Sequence, residues 1–218
     1  MGKKKLKRIA ELLTFPNVYQ FRADLKGKWA SEVFHNSHPV TLELACGKGE
    51  YTLGLARRFP DRNFVGIDIK GPRIWRGAKT ALEENLTNAC FLRAYIDNLA
   101  DYFATGEVQE IWIVFPDPYP NKPKAKKRLT SPGFLEQYRK ILQPEGVLHL
   151  KTDDELLYEY SLESIAALGG TVLQAVTDIY ATIGPGDVVT AIRTFYELQH
   201  LKAGKKIRYI RFRLPAHE

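Results

Sequence analysis

Cysteine is scarce in this sequence: Cys46 and Cys90 are the only two among 218 residues. Two thiols make no disulfide framework, and no metal-ligand spacing is visible. A reduced, intracellular protein without structural zinc is therefore expected, with each cysteine a small core residue. Long apolar runs are missing too. None approaches the roughly 20 residues that a bilayer span needs, so no membrane partner is expected. The basic start, Met1-Gly2-Lys3-Lys4-Lys5, has no apolar signal core behind it. Leu6 also stands where a myristoylation signal carries a small hydroxyl residue. Secretion and lipidation are set aside, and a cytoplasmic location is expected. Internal repeats are absent, and the lysine start is the one low-complexity stretch.

What is present is an ordinary globular composition, 44% hydrophobic and 26% charged, with a basic excess. Lysine and arginine number 32 against 25 acids, a formal net charge of +7. Such an excess attracts polyanions, nucleic acid above all. It gathers in three clusters. Lys3, Lys4, Lys5, Lys7 and Arg8 open the chain; Lys122, Lys124, Lys126, Lys127 and Arg128 lie mid-chain; Lys202, Lys205, Lys206, Arg208, Arg211 and Arg213 crowd the end. They read either as one nucleic-acid face or as three solvated runs.

The hydrophobic pattern alternates between strand and helix. Short apolar runs at 40–45, 63–67, 89–93, 110–115 and 146–151 read as strands; 51–59, 72–84, 132–142 and 154–168 have helical spacing. This predicts an α/β fold with a mostly parallel, seven-stranded sheet and helices on both faces. The segments 171–179 and 189–199 are β-rich, and 207–214 alternates apolar with basic residues. With a turn at 201–205, the end reads as an antiparallel C-terminal hairpin. Residues 1–35 show no strand signal. They are expected to form a basic helical arm, with helices near 5–13 and 26–34, ahead of a domain spanning 36–218.

The first predicted strand runs through Glu43 into Gly47-Lys48-Gly49 and then a helix. Glycines there let the backbone turn sharply beside a nucleotide-like ligand. A dinucleotide fingerprint needs a further small residue three positions on, where Thr52 stands. The acid at Glu43 would repel a pyrophosphate and suits a cation, such as the sulfonium and amino group of S-adenosyl-L-methionine. Asp68, after the second strand, stands where an acid accepts hydrogen bonds from ribose hydroxyls. Both acids also read as capping or surface residues. The fourth strand ends in Phe115-Pro116-Asp117-Pro118-Tyr119-Pro120. Its prolines stiffen the turn that carries Asp117, at a strand end where α/β sheets bind ligands.

Phe115-Pro116-Asp117-Pro118 with the basic run through Lys127-Arg128-Leu129-Thr130, then Lys151-Thr152-Asp153, then Thr194-Phe195-Tyr196-Glu197, resembles the single-chain bacterial tRNA (guanine-N7)-methyltransferase family. The resemblance runs from about Val18 to Ile207. It implies a Rossmann-like class I methyltransferase fold, S-adenosylmethionine as cofactor and tRNA as partner, with methyl transfer to N7 of a variable-loop guanine by a monomer or homodimer. It also implies cofactor contacts at Glu43, Gly47, Gly49, Asp68 and Asp117, the last as catalytic residue. A further cofactor contact falls on Tyr95, which aligns with the family's acid or amide, or on Asp97, two residues later. Substrate contacts map to Asn121 or Lys122, to Arg128 and Asp153, and to Thr194, Tyr196 and Glu197. Trp75, Tyr119 and Tyr196 read either as base-stacking rings or as core. Three other functions stay open on sequence: methylation of an exocyclic amine, suggested by Asp117-Pro118-Tyr119; a non-catalytic RNA binder; and a nicotinamide oxidoreductase, which the missing third glycine disfavours.

Overall fold

The first apolar run, Val40–Leu44, is buried at every position and forms β2 of a computed structural model that describes residues 3–216. Met1 and Gly2 of the basic start lie outside the described residues, and so do the side chains of Lys3 and Lys4 in the first basic cluster. The chain divides into two compact units, residues 1–104 and 105–218.

In the first unit, β1 (Val18–Gln20), β2, β3 (Asn63–Ile67) and β4 (Ala89–Arg93) lie parallel in the order β1-β4-β3-β2. β2, β3 and β4 are almost wholly buried, as parallel strands covered by helices must be. The register pairs Leu44 with Ile67 and Ile67 with Leu92, so three carboxyl ends finish side by side. The helices are α1 (Lys3–Leu12), α2 (Glu50–Arg58) and α3 (Gly71–Glu83). Trp75 on α3 seats α1: its Nε1 donates to Glu11 Oε2 (2.7 Å), and the Arg8 guanidinium lies 4.6 Å from its ring centre. Arg8 and, at 5.2 Å, Lys79 flank the ring.

The expectation of a strandless start is overturned by β1. Val18-Tyr19-Gln20 is too short to show a period, and it is strand because β4 offers it a parallel edge. The second expected helix, 26–34, is a single π turn at Trp29–Val33. Trp29 anchors it by stacking on Phe103 and donating from Nε1 to Tyr102 O (2.8 Å).

In the second unit, β5 (Val108–Val114), β6 (Leu142–Thr152), β7 (Thr171–Val176) and β8 (Arg208–Arg213) take the order β5-β6-β8-β7. β5 and β6 are parallel; β8 runs antiparallel to both β6 and β7. Ile111, Trp112 and Ile113 are fully buried on β5, each stabilising the unit by roughly 1.5–3 kcal/mol. Trp112 stacks on His149 of β6 at 3.8 Å, and His149 Nδ1 pairs with the Tyr209 hydroxyl of β8 (2.7 Å). The helices are α4 (Pro132–Ile141), α5 (Glu155–Ala167), α6 (Ile179–Thr182), α7 (Val188–Ala191) and α8 (Phe195–Lys202).

The described residues hold eight strands, four in each unit, where seven were expected. The antiparallel pair near the end is present, but it is no tight hairpin. The segment 189–199, expected as strand, is helical, and residues 201–205 end α8 rather than turning a hairpin. The reason is local capping. Asp187 accepts from Val189 N, and Thr194 accepts from Glu197 N, so each starts a helix that outweighs the β-branched and aromatic composition.

Candidate functional site

At the carboxyl end of β2, the backbone leaves the strand through Ala45 at φ 55°, then Gly47 at 58° and Gly49 at 67°. A side chain at Gly49 would meet the Phe91 ring, its Cβ within 2.4 Å of Cε1, whereas one at Gly47 would meet only Ala45 O, at an ordinary 4.0 Å. The glycine at 49 therefore serves packing and the one at 47 serves the turn. Asp68 pins this turn from the end of β3. Its Oδ2 accepts from Gly47 N–H (3.0 Å) and its Oδ1 from Lys70 N–H (2.8 Å). Lone pairs remain on both oxygens for a ligand.

Glu43 is buried beneath the turn. Thr52, one turn into α2, donates its backbone N–H (2.7 Å) and its hydroxyl to Glu43 Oε2. A third glycine at 52 would leave the acid without that hydroxyl, so the position that breaks the dinucleotide fingerprint is the acid's partner. Oε1 has no hydrogen-bond partner among the described residues. Burial pushes the Glu43 carboxyl up to about 8, against the pull of the Thr52 hydrogen bonds; Glu50 and Asp68 add to the rise. Neutral at pH 7 and half-satisfied, it suits a cationic group that would draw off its proton. Tyr95 immediately precedes a short 3-10 segment, Ile96–Asp101, that contains Asp97 and is kinked at Asn98. Both side chains are exposed, with Tyr95 leaning on Phe21 at 6.3 Å.

The second unit builds its cluster where β5 and β6 end together. Asp117 stands exposed on the proline turn between Phe115 at φ 48° and Tyr119 at φ 42°, two non-glycine residues in the left-handed region. Phe115 N–H donates to Lys151 O (2.8 Å), which sets the start of the turn beside β6. Asn121 immediately precedes a 3-10 turn, Lys122–Lys127, whose four lysines are all exposed. Arg128 behaves differently: it is 4% exposed and points inward.

β6 delivers Asp153, whose Oδ2 pairs with Lys205 Nζ at 2.5 Å and His200 Nδ1 at 3.3 Å. Oδ1 has no partner among the described residues. The His200 ring stacks on Phe115 at 5.6 Å, so α8, the end of β6 and the proline turn converge. Thr194 and Glu197 are buried beneath α8. Glu197, wholly inaccessible, pairs with Lys151 (2.8 Å) and accepts from the Tyr180 hydroxyl (2.6 Å). Lys151 also donates to Val189 O and Ile192 O. Burial draws the Lys151 pKa down, and Glu197 pulls it back. This clamp fixes α7 and α8 over β6. Tyr196, 52% exposed, faces out beside Phe195. Lys151, Tyr180, His200 and Lys205 were not singled out in the sequence as site residues. A lysine inside an apolar strand run was the available signal for the first.

No group of three metal-ligating side chains occurs among the described residues, and no helix there is long and apolar enough to cross a membrane.

With this geometry in hand, similarity to known proteins decides the lineage. A family described as "Putative methyltransferase" matches residues 37–209. A tRNA (guanine-N(7)-)-methyltransferase of Christiangramia forsetii is 50% identical over 221 residues, taking in 98% of this chain and 99% of that one. This chain belongs to the tRNA (guanine-N7)-methyltransferase family. Its relative in Bacteroides thetaiotaomicron is 45% identical, across 99% of this chain and 87% of that one. Among solved structures, the 16S rRNA methyltransferase KamB superposes with a TM-score of 0.65, covering 85% of this chain and 92% of its own. At 15% identity that likeness carries the fold alone, which is the Rossmann-like class I methyltransferase fold.

Proposed function

We propose that this protein transfers the methyl group of S-adenosylmethionine to N7 of a guanine in cytoplasmic tRNA, in the variable loop, giving 7-methylguanosine. The observation that carries this reading is half-identity to a tRNA (guanine-N(7)-)-methyltransferase along virtually the whole of both chains. The proposed cofactor contacts are Glu43, Gly47, Gly49, Asp68 and Asp117, with Tyr95 or Asp97 beside the adenine. The half-satisfied buried carboxyl of Glu43 and the pinned turn at Gly47 fit a ligand that is cationic at one end and carries ribose hydroxyls. Bound, the cofactor supplies an electrophilic methyl group to a nitrogen whose in-plane lone pair carries no proton.

No base is then required to prepare N7. The protein's tasks are alignment and tolerance of the positive charge that the guanine ring acquires. The Asp117 carboxylate, held on a stiff turn, opposes that charge. Asp153 Oδ1 accepts from guanine N1–H and N2–H, which adenine cannot match. Asn121 or Lys122, with Tyr196, touches the RNA directly, whereas Arg128, Thr194 and Glu197 serve the substrate side from buried positions. Methyl transfer is assigned to residues 36–218, and the basic arm 1–35 adds phosphate contacts. Extruding a stacked guanine costs a few kcal/mol, which such contacts offset.

The test is transfer of labelled methyl to unmodified tRNA, followed by nucleoside analysis. Label is expected in 7-methylguanosine, and label in any other nucleoside overturns the N7 assignment. Asp117→Ala is expected to lower kcat by about 10²–10³ with the fold intact, the range seen when one charge-stabilising group is removed. Undiminished turnover in that variant would remove Asp117 from catalysis.

A further inference from the structure

We propose that Arg128 is a positioning residue that latches the Asp117 turn in its working shape, and that it makes no contact with RNA. The proposal rests on the reading of Asp117 given above.

Four residues before Arg128 in the chain, Lys122, Lys124, Lys126 and Lys127, spread into solvent; Arg128, the fifth basic residue of the same run, does not. Its Nε donates to Pro118 O and its Nη2 to Tyr119 O, both at 3.0 Å. The guanidinium carbon lies 4.2 Å from the centre of the Tyr160 ring on α5. One edge of the guanidinium is spent on the turn and the group rests on an aromatic platform, so almost no surface is left for a phosphate.

The turn needs this support. Pro116, Pro118 and Pro120 have no N–H, so half of the residues from 115 to 120 cannot donate. Among the described residues, residues 116–120 make no backbone–backbone hydrogen bond. Phe115 and Tyr119 hold disfavoured left-handed conformations on either side of Asp117, which persist only where the surroundings over-determine them. Arg128 supplies that constraint at two consecutive carbonyls with a rigid planar fork. Lysine, a point charge on a flexible stem, cannot reproduce it. The latch is anchored in turn: Arg128 N–H donates to Ala125 O, and Ser131 N–H donates to Arg128 O.

The experiment compares Arg128→Ala, Arg128→Lys, Tyr160→Ala and Tyr160→Phe with the unaltered protein. It measures kcat, tRNA affinity over a salt series, and hydrogen–deuterium exchange at the Phe115 amide, which is hydrogen-bonded to Lys151 O where the turn begins. The latch predicts a kcat loss of about 10–100-fold for Arg128→Ala, since a catalytic group displaced by about 1 Å costs that much. It predicts unchanged tRNA affinity and salt slope, faster exchange at the Phe115 amide, and a loss in Arg128→Lys close to that in Arg128→Ala, because lysine cannot hold both carbonyls. Tyr160→Ala should lose more activity than Tyr160→Phe, which keeps the ring; this pair keeps the test open should Arg128→Ala not fold. A salt slope smaller by about one, the signature of a lost phosphate contact, overturns the proposal. Unchanged exchange at Phe115 overturns it as well. Because exchange needs no turnover, failure of the N7 reading, seen as no transfer by the unaltered protein, is distinguishable from failure of the latch.

Discussion

At the end of β2, burial holds the Glu43 carboxyl near pH 8 rather than at its ordinary 4.5. Below about pH 4.5 the group is neutral whether the chain is folded or not, and no cost arises. Between there and about 8 the unfolded chain binds fewer protons, so this residue lowers stability progressively as pH rises through that window. A cationic ligand reverses the preference. Binding of S-adenosylmethionine at pH 7 is therefore expected to release up to one proton and to tighten as pH rises toward 8. Calorimetry in two buffers of different ionisation heat reads the release, and Glu43→Gln should abolish it. A proton count of zero in the unaltered protein would sink the charge pairing. The sequence showed Glu43 and the G-x-G turn together because spacing alone carries that signal. It did not show that Thr52 feeds the acid, since a hydroxyl nine residues on, across the glycine turn, leaves no periodic trace. Asp117 was legible through its prolines. Arg128 was legible as a basic residue, but its inward direction depends on Tyr160, a ring 32 positions later (160 − 128) that no motif marks.

Among the elements, those with several turns or a full apolar run followed from the residue pattern. β3 and β4 begin and end where the apolar residues do, and α2, α3, α4 and α5 depart by a residue or two. Errors gathered where elements are short and tertiary contacts decide. β1 has three residues and exists through β4. α7 and α8 were masked by Val188-Val189-Thr190 and Phe195-Tyr196, although Thr194 with Glu197 three residues on is a capping-box pattern that announces a helix. Lys151 then holds this helical segment to β6. Replacing it with methionine strands the buried Glu197 charge and should destabilise the second unit by about 3–5 kcal/mol. Denaturant unfolding checks this. Adding Glu197→Leu to Lys151→Met should recover much of the loss, and no recovery would mean that the lysine acts through Val189 and Ile192 instead.

For the molecule as a whole, a net charge of +7 sets the approach to a polyanion. The four exposed lysines of the 3-10 turn make no ion pair among the described residues, so they are free to displace counterions. Exchanging all four for glutamine should lower the slope of log affinity against log salt by about two to four. Binding to tRNA between 50 and 200 mM salt reads it, and an unchanged slope would assign the charge to another cluster. The same exchange should leave S-adenosylmethionine binding intact.

β8 lies between β6 and β7 although it follows both in the chain. A ribosome delivers β7 first, and until Arg208–Arg213 emerges that strand has no neighbour on which to zip. Val172 and Leu173, partly exposed even in the finished sheet, are bare during that interval. A bare apolar edge recruits other nascent chains. Slow translation between β7 and β8 should therefore lower the yield of soluble protein, while the same pause placed after β8 should not.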